Sequence, residues 1–407
     1  MPELAVTPNS LFSKFSDVRK RVERIDAFGD VRPFGVVFEE LLSPTRAMVD
    51  GREVVLAGTN NYLGLSYDET CVAAAKTALD QHGTATTGSR LANGTYSEHV
   101  RLEEELKDYF DASSAIVFTT GYQSNLAAIG ALAGKGDHLI IDTDSHACIY
   151  DGCRLSDAET HVFRHNSPEN LERRLARLPE TGARLVVIEG LYSMFGDVAP
   201  VAELTEVAHK GNAMILVDEA HSVGCYGYKG HGVSAAQGVL DKVDFITGTF
   251  SKSFASIGGF CVSRHPELEM IRFTSRPYLF TASGSPANVA VARQALDIIA
   301  KSGANRANLW ARVRQLYDGL LSLGLTPLSP PGPIVAVEIS DELTAVRAWN
   351  DLLNQGVYLN LALPPATPQS KSLLRLSVSA AHSEDEIKKI LDAFRVVPTG
   401  KTLRTAS

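Results

Sequence analysis

The stretch Met214-Ile215-Leu216-Val217-Asp218-Glu219-Ala220-His221-Ser222 decides how this chain is read. Its unbroken apolar run, with β-branched Ile215 and Val217, describes a short strand buried on both faces. Such a strand delivers a carboxylate, Asp218, and three residues later an imidazole, His221, to the carboxyl edge of a sheet. Open α/β sheets bind their ligands along that edge. A carboxylate buried there is costly unless a cation meets it.

Similar runs flank it on both sides. Ala115–Thr119, His138–Asp142, Leu185–Glu189, Phe245–Thr247 and Gly259–Val262 read as strands. Val100, Leu102, Leu106 and Phe110 fall at helical spacing, and Tyr122–Ala133 and Val201–Lys210 read as further helices. Strands alternating with helices predict an α/β fold whose mostly parallel central sheet is covered on both faces. This large domain is expected over 58–295. Beyond it, helices around Ala287–Ile299 and Leu309–Leu323 lead to the break Ser329-Pro330-Pro331-Gly332-Pro333. Strand-like Ile334–Ile339, Val357–Asn360 and Leu373–Val378 follow, and a last helix opens on the capping pair Ser383 and Glu386. That pattern predicts a smaller α+β domain over 296–407. Residues 1–57 mix charged and apolar positions around Pro33-Phe34-Gly35 and read as an arm packed on another unit or on a second subunit.

Composition narrows the function. With 407 residues, 44% hydrophobic and 21% charged, the chain has the balance of a globular protein with a sizeable core. A net charge of −8 without a Lys/Arg-rich run disfavours nucleic-acid binding but leaves room for a small basic pocket. Met1–Ser10 lacks the basic and apolar regions of a signal peptide, and no run approaches a membrane span. The five scattered cysteines, Cys71, Cys148, Cys153, Cys225 and Cys261, contain no CxxC and read as reduced, mostly buried thiols of a cytoplasmic protein.

One cation that suits Asp218 is the protonated ring nitrogen of pyridoxal phosphate, which draws electrons while it stays protonated. Three other readings compete. Asp218-Glu219-Ala220-His221 also spells a helicase motif, but those enzymes need a GxxxxGK[ST] loop, and the nearest stretch ends Gly134-Lys135-Gly136. A metal site on Asp218 and His221 lacks further clustered ligands, and the pair could simply close a strand as turn formers. The next segment weighs for the cofactor. Gly248-Thr249-Phe250-Ser251-Lys252-Ser253 lies one helix-and-strand crossover beyond Asp218. A lysine among small hydroxyls suits a Schiff base, with the Thr249 and Ser251 hydroxyls free to hold a phosphate. Thr119-Thr120-Gly121-Tyr122-Gln123-Ser124-Asn125 turns from strand into helix, and the N–H groups at a helix start seat anions. Asp144-Ser145-His146-Ala147 brings His146 to another strand end, able to lie against a cofactor ring. Arg375, alone in the apolar run Leu373–Val378, suits either a ligand carboxylate or an internal ion pair.

Taken together, these motifs resemble the α-oxoamine synthases, pyridoxal phosphate enzymes that join an amino acid to an acyl thioester with loss of carbon dioxide. The resemblance runs from Gly58-Thr59-Asn60-Asn61-Tyr62-Leu63-Gly64 to the final helix. It includes Thr87-Gly88-Ser89-Arg90, Asn93-Gly94-Thr95 and Glu189-Gly190-Leu191-Tyr192-Ser193-Met194. Ser145–Cys153, Arg276–Ser283 and Pro364–Pro368 are most similar to the homodimeric bacterial serine palmitoyltransferases. The resemblance implies a fold-type I pyridoxal phosphate transferase, cytoplasmic or at most peripheral to the inner membrane, with active sites shared across a homodimer. It implies serine and a palmitoyl thioester of coenzyme A as substrates, 3-ketodihydrosphingosine as product, and the first step of sphingolipid synthesis as the role. Glycine or alanine with another acyl-coenzyme A or acyl carrier protein thioester is the alternative, and a catalytically silent partner subunit is disfavoured by the intact Lys252. By the same likeness Lys252 would hold the cofactor and move the α-proton, Asp218 would pair with the ring nitrogen, and His221 would meet the ring hydroxyl. His146 would stack on the ring and orient the substrate carboxylate. Gly121, Tyr122, Ser193, Thr249 and Ser251 would hold the cofactor, with Thr281 and Ala282 reaching its phosphate from the second subunit. Asn61 and Arg375 would face the amino acid. One position departs: Leu363 stands where those enzymes carry an arginine before the Pro-Pro-Ala-Thr-Pro stretch.

Overall fold

The computed structural model describes residues 10–28 and 31–398, so the first nine residues of Met1–Ser10 lie outside the described residues. Fourteen strands are present among them. The first three are β1 (Glu40–Ser43), β2 (Arg46–Val49) and β3 (Arg52–Leu56). The next seven are β4 (Ser114–Phe118), β5 (His138–Asp142), β6 (Glu159–Phe163), β7 (Arg184–Glu189), β8 (Met214–Asp218), β9 (Phe245–Thr249) and β10 (Gly259–Ser263). The last four are β11 (Ile334–Ile339), β12 (Val357–Tyr358), β13 (Asn360–Ala362) and β14 (Ser372–Ser377).

The central sheet has the order β4-β10-β9-β8-β7-β5-β6. The pairings among β6, β5, β7, β8 and β9 are parallel, whereas β10 runs against both β9 and β4. β4, β5, β8 and β9 each come from a run read as a strand, and in all but β8, whose first residue Met214 is exposed, every residue is buried. Apolar side chains on both faces fill two clusters, one on each side of the sheet. The first five α-helices are α1 (Ser16–Asp26), α2 (Glu69–His82), α3 (Ser97–Phe110), α4 (Gly121–Leu132) and α5 (Ala147–Leu155), of which α3 and α4 pack directly on the central sheet. All five cysteines are free and buried, as read. No helix of the described residues is long and apolar enough to cross a membrane.

The C-terminal third carries a second sheet, β11-β14-β13, and the predicted capping box is made: Ser383 Oγ accepts from Glu386 N and Glu386 reaches back to Ser383 N. Within the stretch read as an arm, β1, β2 and β3 form a meander whose last strand pairs in parallel with β12. The alternation that hid this is the ordinary signature of strands with one wet face: β2 runs exposed, buried, half-buried, buried. α1 ties in through Arg21 and Arg24, both on Glu342. The helix Pro286–Lys301 runs unbroken and packs on α2 and α3.

Candidate active site

Because β5, β7, β8 and β9 are parallel neighbours, their carboxyl ends open on one edge, and the loops leaving them line a cavity of about 390 Å³. Asp218 is the last residue of β8 and is 5% exposed. Its Oδ2 accepts from Asn125 Nδ2 at 2.7 Å and its Oδ1 from Ala220 N at 2.8 Å. Thr247 on β9 donates to Asn125 Oδ1 at 2.8 Å, which fixes that amide so that its NH₂ faces the acid. No Lys, Arg or His of the described residues forms an ion pair with Asp218. Glu219, fully buried, turns the other way and accepts from Val233 N (2.9 Å), Ser234 N (2.7 Å) and the Ser222 hydroxyl, which locks the turn that aims His221.

His221 lines the same cavity, with Nδ1 2.8 Å from the Tyr62 hydroxyl. Burial and then the Lys252 and Arg375 charges push it well below the ordinary imidazole value, so it is neutral. His146 caps the start of α5, where its Nδ1 accepts from Cys148 N at 3.2 Å; the ring proton therefore sits on Nε2. Burial lowers its pKa too, helped by Lys252 and opposed by Asp218. Lys252 follows β9 across the cavity. Burial brings its amine down to about 8, against the pull of Asp218 and Glu189. A lysine so placed has a far larger free-amine fraction near neutral pH than an ordinary lysine, as a nucleophile or base requires.

The anion seat is also formed. Thr120 caps α4 by accepting from Gln123 N at 3.2 Å, leaving the Gly121 and Tyr122 N–H groups at the open helix end. The Thr249 and Ser251 hydroxyls lie 2.9 Å apart beside it. A Cβ on Gly121 would come within 2.6 Å of the Thr249 side chain, so glycine is what lets this loop close.

Thus Gly121, Tyr122, His146, Asp218, His221, Thr249, Ser251 and Lys252 come together in one cavity. Ser193, Asn61, Arg375, Thr281 and Ala282 do not line it. Arg375, 6% exposed on β14, donates from Nε to the Ser193 carbonyl at 2.6 Å and from a terminal nitrogen to Ser377 Oγ at 3.2 Å. It has no carboxylate partner among the described residues, so the internal ion pair is not made. Asn61 Oδ1 is buried without a hydrogen-bond partner, while its Nδ2 donates to Ser66 Oγ. Thr281 accepts from Gln123 Nε2 and the Ala282 carbonyl from Thr119 Oγ1, which puts both beside the α4 N-terminus. Leu363 is buried in the apolar core.

Asn125 and Glu189 are among the cavity residues that the sequence left unassigned. Asn125 stands one turn into α4 on the same face as Gly121. Glu189 ends β7 in register with Asp218, and its Oε1 accepts from His146 N at 2.5 Å. Burial, with Asp218 adding, raises its pKa well above the carboxylate range. Glu189 was findable by the rule that found Asp218, a carboxylate closing a buried strand.

Beneath the site His165 is held between Asp142 and Asp197, each at 2.8 Å. Burial pushes its pKa down, but the two carboxylates outweigh it and lift it to about 10. The stability this charge gives is complete below the ordinary 6.5 and is lost as pH rises through about 10. The Tm gap between the protein and H165Q should therefore narrow from pH 6.5 to 10; a constant gap contradicts the charged pairing.

A profile described as "Aminotransferase class I and II" matches residues 52–394. The serine palmitoyltransferase of Caulobacter vibrioides is 50% identical over 385 residues, 94% of this chain and 95% of that protein. The structure of the Sphingomonas wittichii serine palmitoyltransferase superposes with a TM-score of 0.93 at 48% identity, covering 95% of this chain and 97% of that one. A variant of the S. paucimobilis enzyme with a bound pyridoxal phosphate–myriocin aldimine gives 0.93 at 44% identity, covering 95% and 98%. This chain belongs to the class I and II aminotransferase family, and within it stands with the bacterial serine palmitoyltransferases.

Proposed function

We propose that this protein is a pyridoxal phosphate-dependent acyltransferase that condenses L-serine with a long-chain acyl thioester, palmitoyl-coenzyme A, to give 3-ketodihydrosphingosine, carbon dioxide and the free thiol. The observation that carries the reading is the buried, ion-pair-free Asp218 carboxylate facing the same cavity as Lys252, in a chain half identical to a curated serine palmitoyltransferase. The cavity suits the cofactor by its donor set: helix-end N–H groups and two hydroxyls for a phosphate, an acid for a ring nitrogen, an amine for an aldehyde.

When bound, the cofactor supplies a ring that takes up the electron pair left by the broken Cα–H and Cα–carboxylate bonds. The rest falls to the chain. Asp218 keeps the ring nitrogen protonated. His221, neutral and braced by Tyr62, offers its second nitrogen to the ring hydroxyl. His146 covers the ring face, with its Nε2–H available to a substrate carboxylate. Lys252 Nζ takes the α-proton and later returns it. Arg375, without an acid of its own, and Asn61 Oδ1 receive the amino acid from the C-terminal side. Ser193 sets Arg375 through its carbonyl. We place Thr281 and Ala282 at the phosphate of a second subunit's site, in a homodimer of cytoplasmic location with at most peripheral membrane contact.

The deciding experiment offers the purified protein serine, glycine and alanine with acyl thioesters of graded length, coenzyme A- and carrier-bound, and detects the amino ketone by mass. Serine with palmitoyl-coenzyme A is the expected pair; product from glycine or alanine alone overturns the serine reading. G121A should weaken pyridoxal phosphate binding by about 10-fold or more, because the added methyl forces Thr249 off the seat. Unaltered cofactor affinity in a titration argues against the seat.

A further inference from the structure

At the end of the sheet opposite the active site, two adjacent strands present a cluster that the proposed chemistry does not use. β5 begins at His138 and β6, the edge strand, at Glu159. Their parallel register sets His138 opposite Glu159 and Ile140 opposite His161, so Glu159 and His161, two apart, share a face. His138 Nδ1 and His161 Nε2 lie 3.2 Å apart. The Glu159 carboxylate oxygens stand 3.8 Å from His138 Nδ1 and 3.7 Å from His161 Nε2. One donor atom from each residue falls within 4.8 Å of the others.

We propose that His138, Glu159 and His161 form a site for one divalent transition-metal ion of the zinc or cobalt kind. With metal–nitrogen bonds of about 2.0–2.1 Å, two imidazoles on a tetrahedral ion hold their nitrogens roughly 3.3 Å apart. The nitrogens already stand at that separation. Two imidazoles and a carboxylate are a donor set for zinc or cobalt rather than for calcium or magnesium, which prefer oxygen alone. The backbone holds both ends of the cluster: His138 N donates to the Ala183 carbonyl and Glu159 N to that of Asp137. His138 is 6% exposed in its side chain, His161 19% and Glu159 69%, so the ion enters from solvent and Glu159 swings the last few tenths of an ångström. Metal ligation needs neutral imidazole. Burial, opposed by Glu159 and helped by His138 and Arg174, lowers the His161 pKa and favours that form. Arg174 opposes a cation by its charge, and Glu159 offsets it. On binding, the proton shared between the rings moves to the other nitrogen of its own ring. The bound ion fastens the exposed edge strand to β5, where an open edge is otherwise free to pair with another chain.

The test uses holoenzyme dialysed free of metal and titrated with Co²⁺ alone, then with Zn²⁺ as competitor. One Co²⁺ per chain is expected, with visible ligand-field bands that Zn²⁺ abolishes. H161Q and H138Q should each weaken binding by at least about 30-fold. E159Q, changed at the surface where folding is not at risk, should weaken it by about 3- to 10-fold. Equal Co²⁺ affinity in the protein and in H161Q, or no bands at millimolar Co²⁺, overturns the proposal.

Discussion

Lys252→Ala is expected to abolish turnover and, with it, the visible absorbance of the bound cofactor. Two functions are removed at once. The amine that holds the aldehyde disappears, and so does the base that moves the α-proton. Loss of a positioned base alone costs about 10²–10⁴-fold, so a fall of at least about 10³-fold in kcat is expected. The alanine leaves the fold intact, since the Lys252 amine makes no hydrogen bond or ion pair among the described residues and the backbone bond from Ala255 N to the Lys252 carbonyl is kept. Purified K252A should be colourless after dialysis while its Tm stays near that of the parent. Retention of the absorbance in that variant removes Lys252 from the role.

The second large effect is expected at Asp218. Asp218→Asn preserves shape and keeps one oxygen to accept from Ala220 N, but it sets an NH₂ against that of Asn125 and removes the charge that holds a proton on the ring nitrogen. A neutral ring is a poorer electron sink, so a loss of about 10²–10⁴-fold in kcat is expected, the range found when one catalytic group goes missing. Cofactor content should stay near one per chain, because the phosphate seat on α4, Thr249 and Ser251 is untouched. Parental turnover at full cofactor occupancy rules out the ion pair.

Most of the central sheet could be read from residues because each strand buries both faces and so shows as an unbroken apolar run, as in Met214–Asp218 and His138–Asp142. β6 left no such trace. As an edge strand, Glu159-Thr160-His161-Val162-Phe163 is exposed at its start and buried only at its end. The reversed direction of β10 was equally hidden, since periodicity carries no information on strand sense. The site residues that were legible leave strand ends within a few positions of a glycine or an acid. Those that were not depend on contacts across the fold. Tyr62 reaches His221 from 159 positions away, and Asn125 reaches Asp218 from 93.

The pairing of β3 with β12 also bears on how the molecule is born. Gly58 receives its bond from Asn360, 302 positions later, and Leu56 receives one from His382, 326 positions later. A chain emerging from the ribosome must therefore carry its β1–β3 meander with one edge unsatisfied until β12 has been made. Closing so wide a loop is slow. The β1–β3 meander is thus finished by residues about three hundred positions downstream, so early and late segments of the chain complete one sheet together.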